Sequence, residues 1–420
     1  MKKIKKILSV LLAAAAAMSL SMTSLAAGEN DPFSVYAYGP GVDTLSSSDY
    51  YAQYQWGLRN DAELQYQELR NRFADSNPGL AREIDLSNSL GIPAPVSGPS
   101  AYEILTINAV KGIDINIKPA WELYDSSTEE HRQVIVAVID TGVDVRHAEL
   151  QNAMWVNAGE IPGDGIDNDG NGYIDDVYGW NFFQNNNQVF VGNEDDHGTH
   201  AAGTISAERG GGGITGITDN NYVKIMSLKA LGSSKGVGEE SAVVAAIRYA
   251  EANGASICNL SFGTTQYYPG LEAAMRDSNM LFVISAGNGD LRGNGIDIDR
   301  IPDYPSSYRL PNAISVANLM FDGNLDVSSN YGISTVDIAA PGTYILSTVT
   351  GNGYGFMSGT SMSAPMVTGV AAMVYSYRTD LSLQDVRTVI LNSAHKLEGL
   401  EGKVSSGGML DAYATMTYGR

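Results

Sequence analysis

Six short, mostly apolar runs constrain the fold of this 420-residue chain most strongly. Val134–Ile139 is the clearest, because its apolar residues are continuous rather than alternating with polar ones. Such a run is typical of a strand buried on both faces of a parallel sheet. The other runs are Val223–Leu228, Ala255–Leu260, Leu281–Ile284, Ala313–Ala317 and Val336–Ala339. Helical stretches separate some of them, at Gly238–Asn253 and Tyr268–Asp277. This alternation predicts a doubly wound α/β fold, with a mainly parallel sheet and helices on both faces.

The first 26 residues have the three parts of a secretory signal peptide. A lysine-rich start is followed by an alanine-rich apolar stretch and then by Ser24-Leu25-Ala26. The pattern predicts cleavage after Ala26, with Ala27 as the alternative. The apolar stretch is short for a membrane span. We therefore expect a secreted, extracellular protein that has no membrane contact once residues 1–26 are removed.

Charge and cysteine content narrow the class of protein further. The formal net charge is −21, which disfavours nucleic acid as a partner. Cys258 is the chain's one cysteine, so no internal disulfide can form. Its apolar neighbours predict a small buried residue in a strand, with a catalytic thiol as the alternative. We expect a monomer.

A serine at position 361 lies in the small-residue stretch Gly359–Pro365, immediately before an apolar pattern with helical spacing. The pattern consists of Val367, Val370, Ala371 and Val374. Ser361 should therefore lie at the N-terminus of a buried helix, where free N–H groups and the helix dipole favour developing negative charge. That position suits a nucleophile whose intermediate carries an oxyanion. An ordinary N-cap serine is the alternative.

Three further polar motifs follow predicted strands or open a helix. Asp140 ends the Val134–Ile139 run, His197 and His200 share the sequence His-Gly-Thr-His, and Asn288 follows Leu281–Ile284. Each alone could be a cap, a buried structural histidine or a turn residue. Together with Ser361 they supply an acid, a base, a nucleophile and an amide donor for acyl transfer. Spacing alone does not choose between the two histidines.

These motifs resemble those of the subtilisin-like serine peptidases, the subtilases. The order Asp, His, Ser is that family's order, and Val136–Asp144, His197–Gly203 and Gly359–Pro365 resemble its three motifs. Met366 stands where many members carry histidine. The resemblance covers residues 112–418. It implies that His197 is the base and Asn288 the oxyanion donor. His147 and His200 would then be structural, and we expect His131 and His395 at the surface.

The resemblance also implies how substrate binds. Peptides would bind in extended form along two edges, and broad specificity would follow from backbone pairing. The edges are Gly236-Val237-Gly238 and Ser261-Phe262-Gly263; plain loop glycines are the alternative. No carboxylate stands out in the sequence as the floor of a pocket, which favours an apolar or mixed preference.

An acidic, glycine-rich loop lies between Asp140 and His197. Its oxygen-bearing residues alternate around a glycine turn, as calcium requires, but Tyr178 stands where an EF-hand has its last glutamate. We predict a structural calcium ion, with a solvated acidic hairpin as the alternative. The predicted ligands are Asp167, Asp169, Asn171, the Tyr173 carbonyl, Asp175 and Asp176.

We interpret the chain as a signal peptide (1–26), an N-terminal segment with an insertion of unknown role (27–111) and a subtilisin-like catalytic domain (112–420). Within the segment we predict one helix, Asp61–Asp75, and note that residues 54–60 resemble the start of a mature subtilase. The expected function is a secreted serine endopeptidase. The alternatives are an inactive binding protein on the same fold and a secreted esterase.

Overall fold

The structure, a computed structural model, describes residues 49, 52, 55–60, 109–232, 236–290 and 292–420. The predicted signal peptide and the predicted helix Asp61–Asp75 lie outside these residues.

A nine-stranded sheet forms the centre of the described part of the chain. Its spatial order is β10-β11-β7-β6-β5-β4-β1-β3-β2, and every neighbouring pair is parallel except β10 with β11. The strands are β1 (Val134–Asp140), β2 (Gly179–Asn181), β3 (Val223–Lys229), β4 (Ile257–Leu260), β5 (Leu281–Ser285), β6 (Ala313–Leu319), β7 (Ile338–Pro341), β10 (His395–Lys396) and β11 (Gly408–Met409). A separate antiparallel hairpin contains β8 (Ile345–Val349) and β9 (Gly353–Met357).

Helices cover both faces of the sheet. They are α1 (Ile117–Asp125), α2 (Asp196–Ser206), α3 (Glu240–Ala252), α4 (Pro269–Arg276), α5 (Thr360–Tyr377), α6 (Leu383–Asn392) and α7 (Ala412–Thr417). Successive β1 residues point to opposite faces: Val136 and Val138 belong to the apolar core with α2 and α5, and Ala137 and Ile139 to the core with α3 and α4. The predicted doubly wound α/β fold is confirmed.

Predicted element boundaries differ from the observed ones by one or two residues. The strand predicted from Val336 begins at Ile338, because the Val336 N–H closes a turn onto the Gly332 carbonyl, at 2.8 Å. The helix predicted from Gly238 begins at Glu240.

The direction of the strand order changes at β1. The chain first crosses from β1 to β3 on one side and then returns to place β4 on the other side of β1. In open α/β sheets, ligands bind at the carboxyl ends of the strands beside such a switch point. Asp140 is the last residue of β1, so the fold places its carboxyl group at that position.

Residues 55–60 pack into the same domain. The Trp56 side chain is buried, and its Nε1 donates to the carbonyl of Thr343 at 2.8 Å. Gln55 and Thr215 exchange two hydrogen bonds, both 2.9 Å long. The amide of Asn60 donates to the carbonyls of Ile113 and Phe321.

Two remaining observations concern the protein surface. His395 is exposed as expected, but the expectation for His131 is wrong, because its ring is half-buried between tyrosines, 4.0 Å from the Tyr124 ring centroid. Aromatic packing there outweighs the hydration of the imidazole. No helix in the described residues has the length and apolar character needed to cross a membrane.

We predict that Cys258 in the folded protein does not react with thiol reagents, because it is fully buried on β4 and burial raises the pKa of its thiol. Reaction should appear only on unfolding, measured with a chromogenic disulfide. Cys258→Ala is the control and should react in neither state, at a cost of about 1 kcal/mol of stability. Stoichiometric labelling of the folded protein would contradict the prediction.

Candidate active site

Asp140 and His197 form a buried hydrogen-bonded pair. Asp140 Oδ1 accepts from His197 Nδ1 at 2.8 Å and from the Thr141 N–H at 2.6 Å. His197 lies in the first turn of α2, and Gly198 allows the close approach, since a Cβ there would lie 2.2 Å from the Gly142 carbonyl oxygen. A carboxylate can only accept from Nδ1, so this pair places the histidine proton on Nδ1 and leaves Nε2 as the acceptor. Nε2 has no hydrogen-bond partner among the described residues.

The pKa of His197 reflects two opposed effects. Burial lowers it, but the negative charge of Asp140 and the hydrogen bond to it outweigh burial and raise the pKa above the usual 6.5. The imidazolium form is therefore stabilised by its partner, as a base that takes up a proton during reaction requires.

The second histidine of the His-Gly-Thr-His motif has a different environment. His200 Nε2 donates to the carbonyl of Ile345 at 2.8 Å, and burial lowers its pKa to about 4. His147 Nε2 likewise lies 3.0 Å from the Gly353 carbonyl. Both rings connect to the β8–β9 hairpin rather than to Asp140.

Ser361 lies in the first turn of α5 and is 3% exposed. Its Oγ donates to the carbonyl of Ser261 at 3.1 Å, so it makes no hydrogen bond to His197 in this conformation. Pro365, four residues later, has no N–H for the Ser361 carbonyl. The hydroxyl of Ser261 donates to that carbonyl instead, at 3.1 Å.

A buried polar chain holds Ser261 in this position. Asn259 Nδ2 donates to Ser261 Oγ at 2.9 Å, and Thr368 Oγ1 donates to Asn259 Oδ1 at 2.8 Å. These hydrogen bonds join the end of β4 to the third turn of α5. Our sequence reasoning did not identify Asn259 or Thr368; Pro365 was the available signal, because it leaves a carbonyl to be satisfied from outside the helix.

Asn288 follows β5, and Thr360 fixes its orientation. Asn288 Oδ1 accepts from the Thr360 N–H at 2.9 Å and from Thr360 Oγ1 at 3.0 Å. These two donors identify the accepting atom of the amide and leave Nδ2 available to donate. Gly359, at φ +143°, lies against Nδ2, where a Cβ would be 3.1 Å away. Thr360 is a further residue of the site that sequence reasoning missed.

The two predicted substrate segments lie beside these groups. A Cβ at Gly236 would lie 3.7 Å from Thr141 Cγ2, next to Asp140, and Ser261 contacts Ser361 directly. Val237 exchanges two backbone hydrogen bonds with Gly232, whereas Phe262 and Gly263 make none with any described residue. The second edge therefore has backbone groups available for pairing.

A buried lysine connects the strand ends that carry the pair. Lys229 ends β3 opposite Asp140 in the sheet register, and its ammonium group is fully buried. It donates to Asp195 Oδ1 at 2.7 Å, to Glu194 Oε1 at 2.8 Å and to the Thr141 carbonyl. These contacts connect the start of α2 to the end of β1, so they position His197 against Asp140.

The acidic loop brings together some of its predicted ligands. Asp169 and Asp176 each have an oxygen within 4.8 Å of one another and of Glu160. Sequence reasoning missed Glu160, although an acid ahead of the loop was a visible signal. Asn171 Nδ2 donates to both aspartates, at 3.1 and 2.9 Å. Three convergent carboxylates are the hard oxygen donors that calcium prefers, so the residues present fit this ion.

Asp167 and Asp175 have other partners. The carboxylate of Asp167 accepts from the N–H groups of Asn171 and Gly172, and that of Asp175 from the N–H groups of Gly163 and Gly165. The Tyr173 ring packs against Trp180 and Tyr249. These two aspartates order the loop backbone, and they lie outside the three-carboxylate cluster.

Comparison with known proteins is consistent with this arrangement. The sequence model of the Subtilase family matches residues 131–409. Thermitase of Thermoactinomyces vulgaris is 33% identical over 308 residues, which cover 72% of this chain and 94% of thermitase. The fold and site define a subtilisin-like α/β protein. The chain belongs to the subtilase family.

Other relatives are longer, and one solved structure is similar. Subtilisin-like protease 1 of Plasmodium berghei (strain Anka) is 32% identical over 318 residues, covering 71% of this chain and 52% of the relative. The chain thus spans about half the length of the Plasmodium relatives it matches. The crystal structure of a cold adapted subtilisin-like serine proteinase matches with a TM-score of 0.52 at 25% identity, covering 68% of this chain and 91% of that chain.

We predict that Asn288→Ala lowers kcat for peptide hydrolysis with little change in KM, because the amide donates mainly to charge that develops in the transition state. The loss measured for one such donor in another subtilase is about 10²–10³ in kcat, and we expect that order here. Asn294→Ala, an exposed amide in the loop that follows, is the matched control. An unchanged kcat would show that the Asn288 amide does not stabilise the oxyanion.

Proposed function

We propose that the chain is a serine endopeptidase that cleaves peptide bonds through an acyl-enzyme intermediate. The observation that carries the proposal is the 2.8 Å hydrogen bond from His197 Nδ1 to Asp140, which leaves Nε2 without a partner in the described part of the chain. The names of the relatives, which include thermitase and a subtilisin-like protease 1, support the same activity.

The chemistry divides among four side chains. Ser361 Oγ turns from the Ser261 carbonyl to Nε2, loses its proton to His197 and attacks the substrate carbonyl. Asp140 keeps the second proton on Nδ1 and stabilises the imidazolium. Asn288 Nδ2 and the N-terminal N–H groups of α5 donate to the oxyanion. His197 then returns the proton to the leaving amine, and water releases the acyl group by the same route.

Polypeptides are the substrates under this proposal. They bind in extended form against Gly236–Gly238 on one side and Ser261–Gly263 on the other, through main-chain hydrogen bonds. We further propose a secreted monomer whose residues 1–26 are removed. The net charge of −21 supports the absence of a nucleic-acid partner.

We propose that residues 55–60 belong to the catalytic unit and that the insertion in the N-terminal segment begins after them. The support is their burial against the Thr215 and Thr343 segments. The functions of residues 27–54 and 61–108 are not assigned.

Ser361→Ala tests the proposed activity. The substitution removes one oxygen, so we expect hydrolysis of an unfolded protein to be abolished while the melting temperature is retained. A sulfonyl fluoride should label Ser361 in the wild type and leave the variant unlabelled. Labelling at another residue, with hydrolysis surviving in the variant, would contradict the mechanism. An esterase would hydrolyse esters while leaving the unfolded protein intact.

The pH profile tests the role of His197. Only the neutral ring accepts a proton, so kcat/KM should fall as pH falls through the His197 pKa, which Asp140 raises above 6.5. Asp140→Asn should move this acid limb to lower pH, because burial then acts without the opposing charge. His131→Gln, at a histidine far from the site, should leave the limb unchanged. An acid limb that does not move in Asp140→Asn would argue against His197 as the base.

We propose that Glu160, Asp169 and Asp176 hold a structural calcium ion. Asn157 and Tyr249 support the cluster by donating to Asp176, at 2.8 and 2.5 Å. Bound calcium would neutralise the repulsion among the carboxylates and order the connection between Asp140 and His197. It takes no part in bond cleavage.

Calcium should therefore raise the melting temperature, and a chelator should reverse the rise. An ion that binds only the folded state stabilises it by about 2.7 kcal/mol at a hundredfold excess over Kd. Asp169→Asn should lose most of the effect. Asp164→Asn, in the same loop but outside the cluster, should retain it. Magnesium should substitute poorly, because it requires tighter octahedral geometry. If the wild type melts at the same temperature with calcium and with chelator, the calcium proposal is wrong and the loop is a solvated acidic hairpin.

A further inference from the structure

A buried carboxylate that the proposed mechanism does not use lies behind the site. Asp303 is 4% exposed, yet within the described residues it forms no ion pair with a Lys, Arg or His side chain. Its side-chain hydrogen-bond donor is Asn330 Nδ2, at 3.4 Å. Charge-assisted hydrogen bonds are normally about 2.7–2.9 Å long, so this contact satisfies the carboxylate weakly.

Both oxygens of the Asp303 carboxylate lie close to glycines in the two segments that flank the candidate active site. A Cβ at Gly263 would lie 2.4 Å from Asp303 Oδ1, and one at Gly287 would lie 2.8 Å from Oδ2. Gly263 belongs to the proposed substrate edge after β4, and Gly287 precedes Asn288 after β5. These strands are neighbours in the sheet. Asp303 therefore lies where the two segments converge.

The same two segments hold the reacting groups. Ser261, two residues before Gly263, contacts Ser361, and the Gly287 N–H donates to Thr360 Oγ1 at 3.1 Å. A substrate carbonyl between Ser361 and Asn288 therefore has its side chain beside these segments. In the proposed binding mode, a substrate extended along Ser261–Gly263 would place that side chain between the two segments, where Asp303 lies.

We propose that Asp303 determines specificity by pairing with a cationic side chain, arginine or lysine, on the residue whose carbonyl is attacked. This inference rests on the proposed peptidase activity and names its substrate class. It replaces the expectation of an apolar or mixed preference, which the sequence favoured because Asp303 lies 40 residues beyond Gly263 and has no recognisable motif.

The electrostatics of the free protein agree with this role. Burial raises the pKa of Asp303 to about 7, against the smaller lowering effects of the Thr264 N–H and the Asn330 amide. A bound cation would favour the ionised form and so gain interaction energy from a carboxylate that has no charged partner among the described residues. The net charge of −21 also attracts cationic peptides.

The test uses peptide pairs that differ only at the residue before the scissile bond. Arginine is compared with citrulline, which has nearly the same shape and no charge, and lysine with norleucine. The uncharged peptide removes one partner of a buried charge pair and leaves the Asp303 carboxylate unpaired. We therefore expect kcat/KM to be at least about 30-fold higher for the cationic peptide. A wild-type ratio near one overturns the proposal.

Variants assign the preference to Asp303. Asp303→Asn should bring both ratios near one while a sulfonyl fluoride still labels Ser361, and Asp303→Glu should keep the cationic preference. Asp297→Asn, in the same loop and paired with the exposed Arg300, is the control and should match the wild type. A ratio that persists in Asp303→Asn overturns the proposal.

Two outcomes separate this inference from the proposed function. Failure of the wild type to digest an unfolded protein counts against the peptidase activity itself. Digestion without a cationic preference counts against Asp303 alone. If Asp303→Asn does not fold, the wild-type ratios for the two peptide pairs decide the question.

Discussion

The parallel pairing of β1 with β3 and β4 is the constraint on which the rest of the structure depends. It places Asp140 opposite Lys229 on one side of β1 and brings the end of β4 beside β1 on the other side. Side chains from strands far apart in sequence thus share one edge of the sheet. Helices α2 and α5 begin beside that edge, so His197 near the start of α2 reaches Asp140, and Ser361 near the start of α5 reaches Ser261.

Burial of charge has three different outcomes around this edge. Lys229 and Asp195 neutralise each other inside the protein, and the pair connects β3 to α2. Asp140 is paired with His197, and this pairing raises the pKa of the imidazole against the opposing effect of burial. Asp303 has no cationic partner in the described part of the chain, and burial raises its pKa to about 7. Each of these three charged side chains loses its hydration on burial. The group that each one contacts then determines its role in the structure.

The fold was predictable from sequence because its signals are local. Mostly apolar runs predicted β1 and β3–β7. The motifs predicted site roles for Asp140, Asn288 and Ser361, and the family resemblance added the choice of His197 over His200. Contacts between distant segments carried no local pattern. Asn259 and Thr368 are polar residues within otherwise apolar stretches, and their hydrogen bond joins positions 109 residues apart. Nothing in the local sequence distinguishes Glu160 and Asp303 from other acidic residues. Only the fold brings Glu160 beside Asp169 and Asp176, and Asp303 beside Gly263 and Gly287.

Pro365 links the conformation of Ser361 to the order in which the protein folds. Because the proline removes the helical partner of the Ser361 carbonyl, the first turn of α5 is completed by Ser261 at the end of β4. The backbone of the nucleophile is therefore set by a neighbouring strand rather than by its own helix. In a nascent chain that has formed α5 but has not yet added β4 to the sheet, the Ser361 carbonyl lacks its hydrogen bond from Ser261, and the backbone of Ser361 is not held in place. Under the proposed mechanism, reactivity would therefore appear only when the sheet is assembled, and incompletely folded copies would not cleave their neighbours.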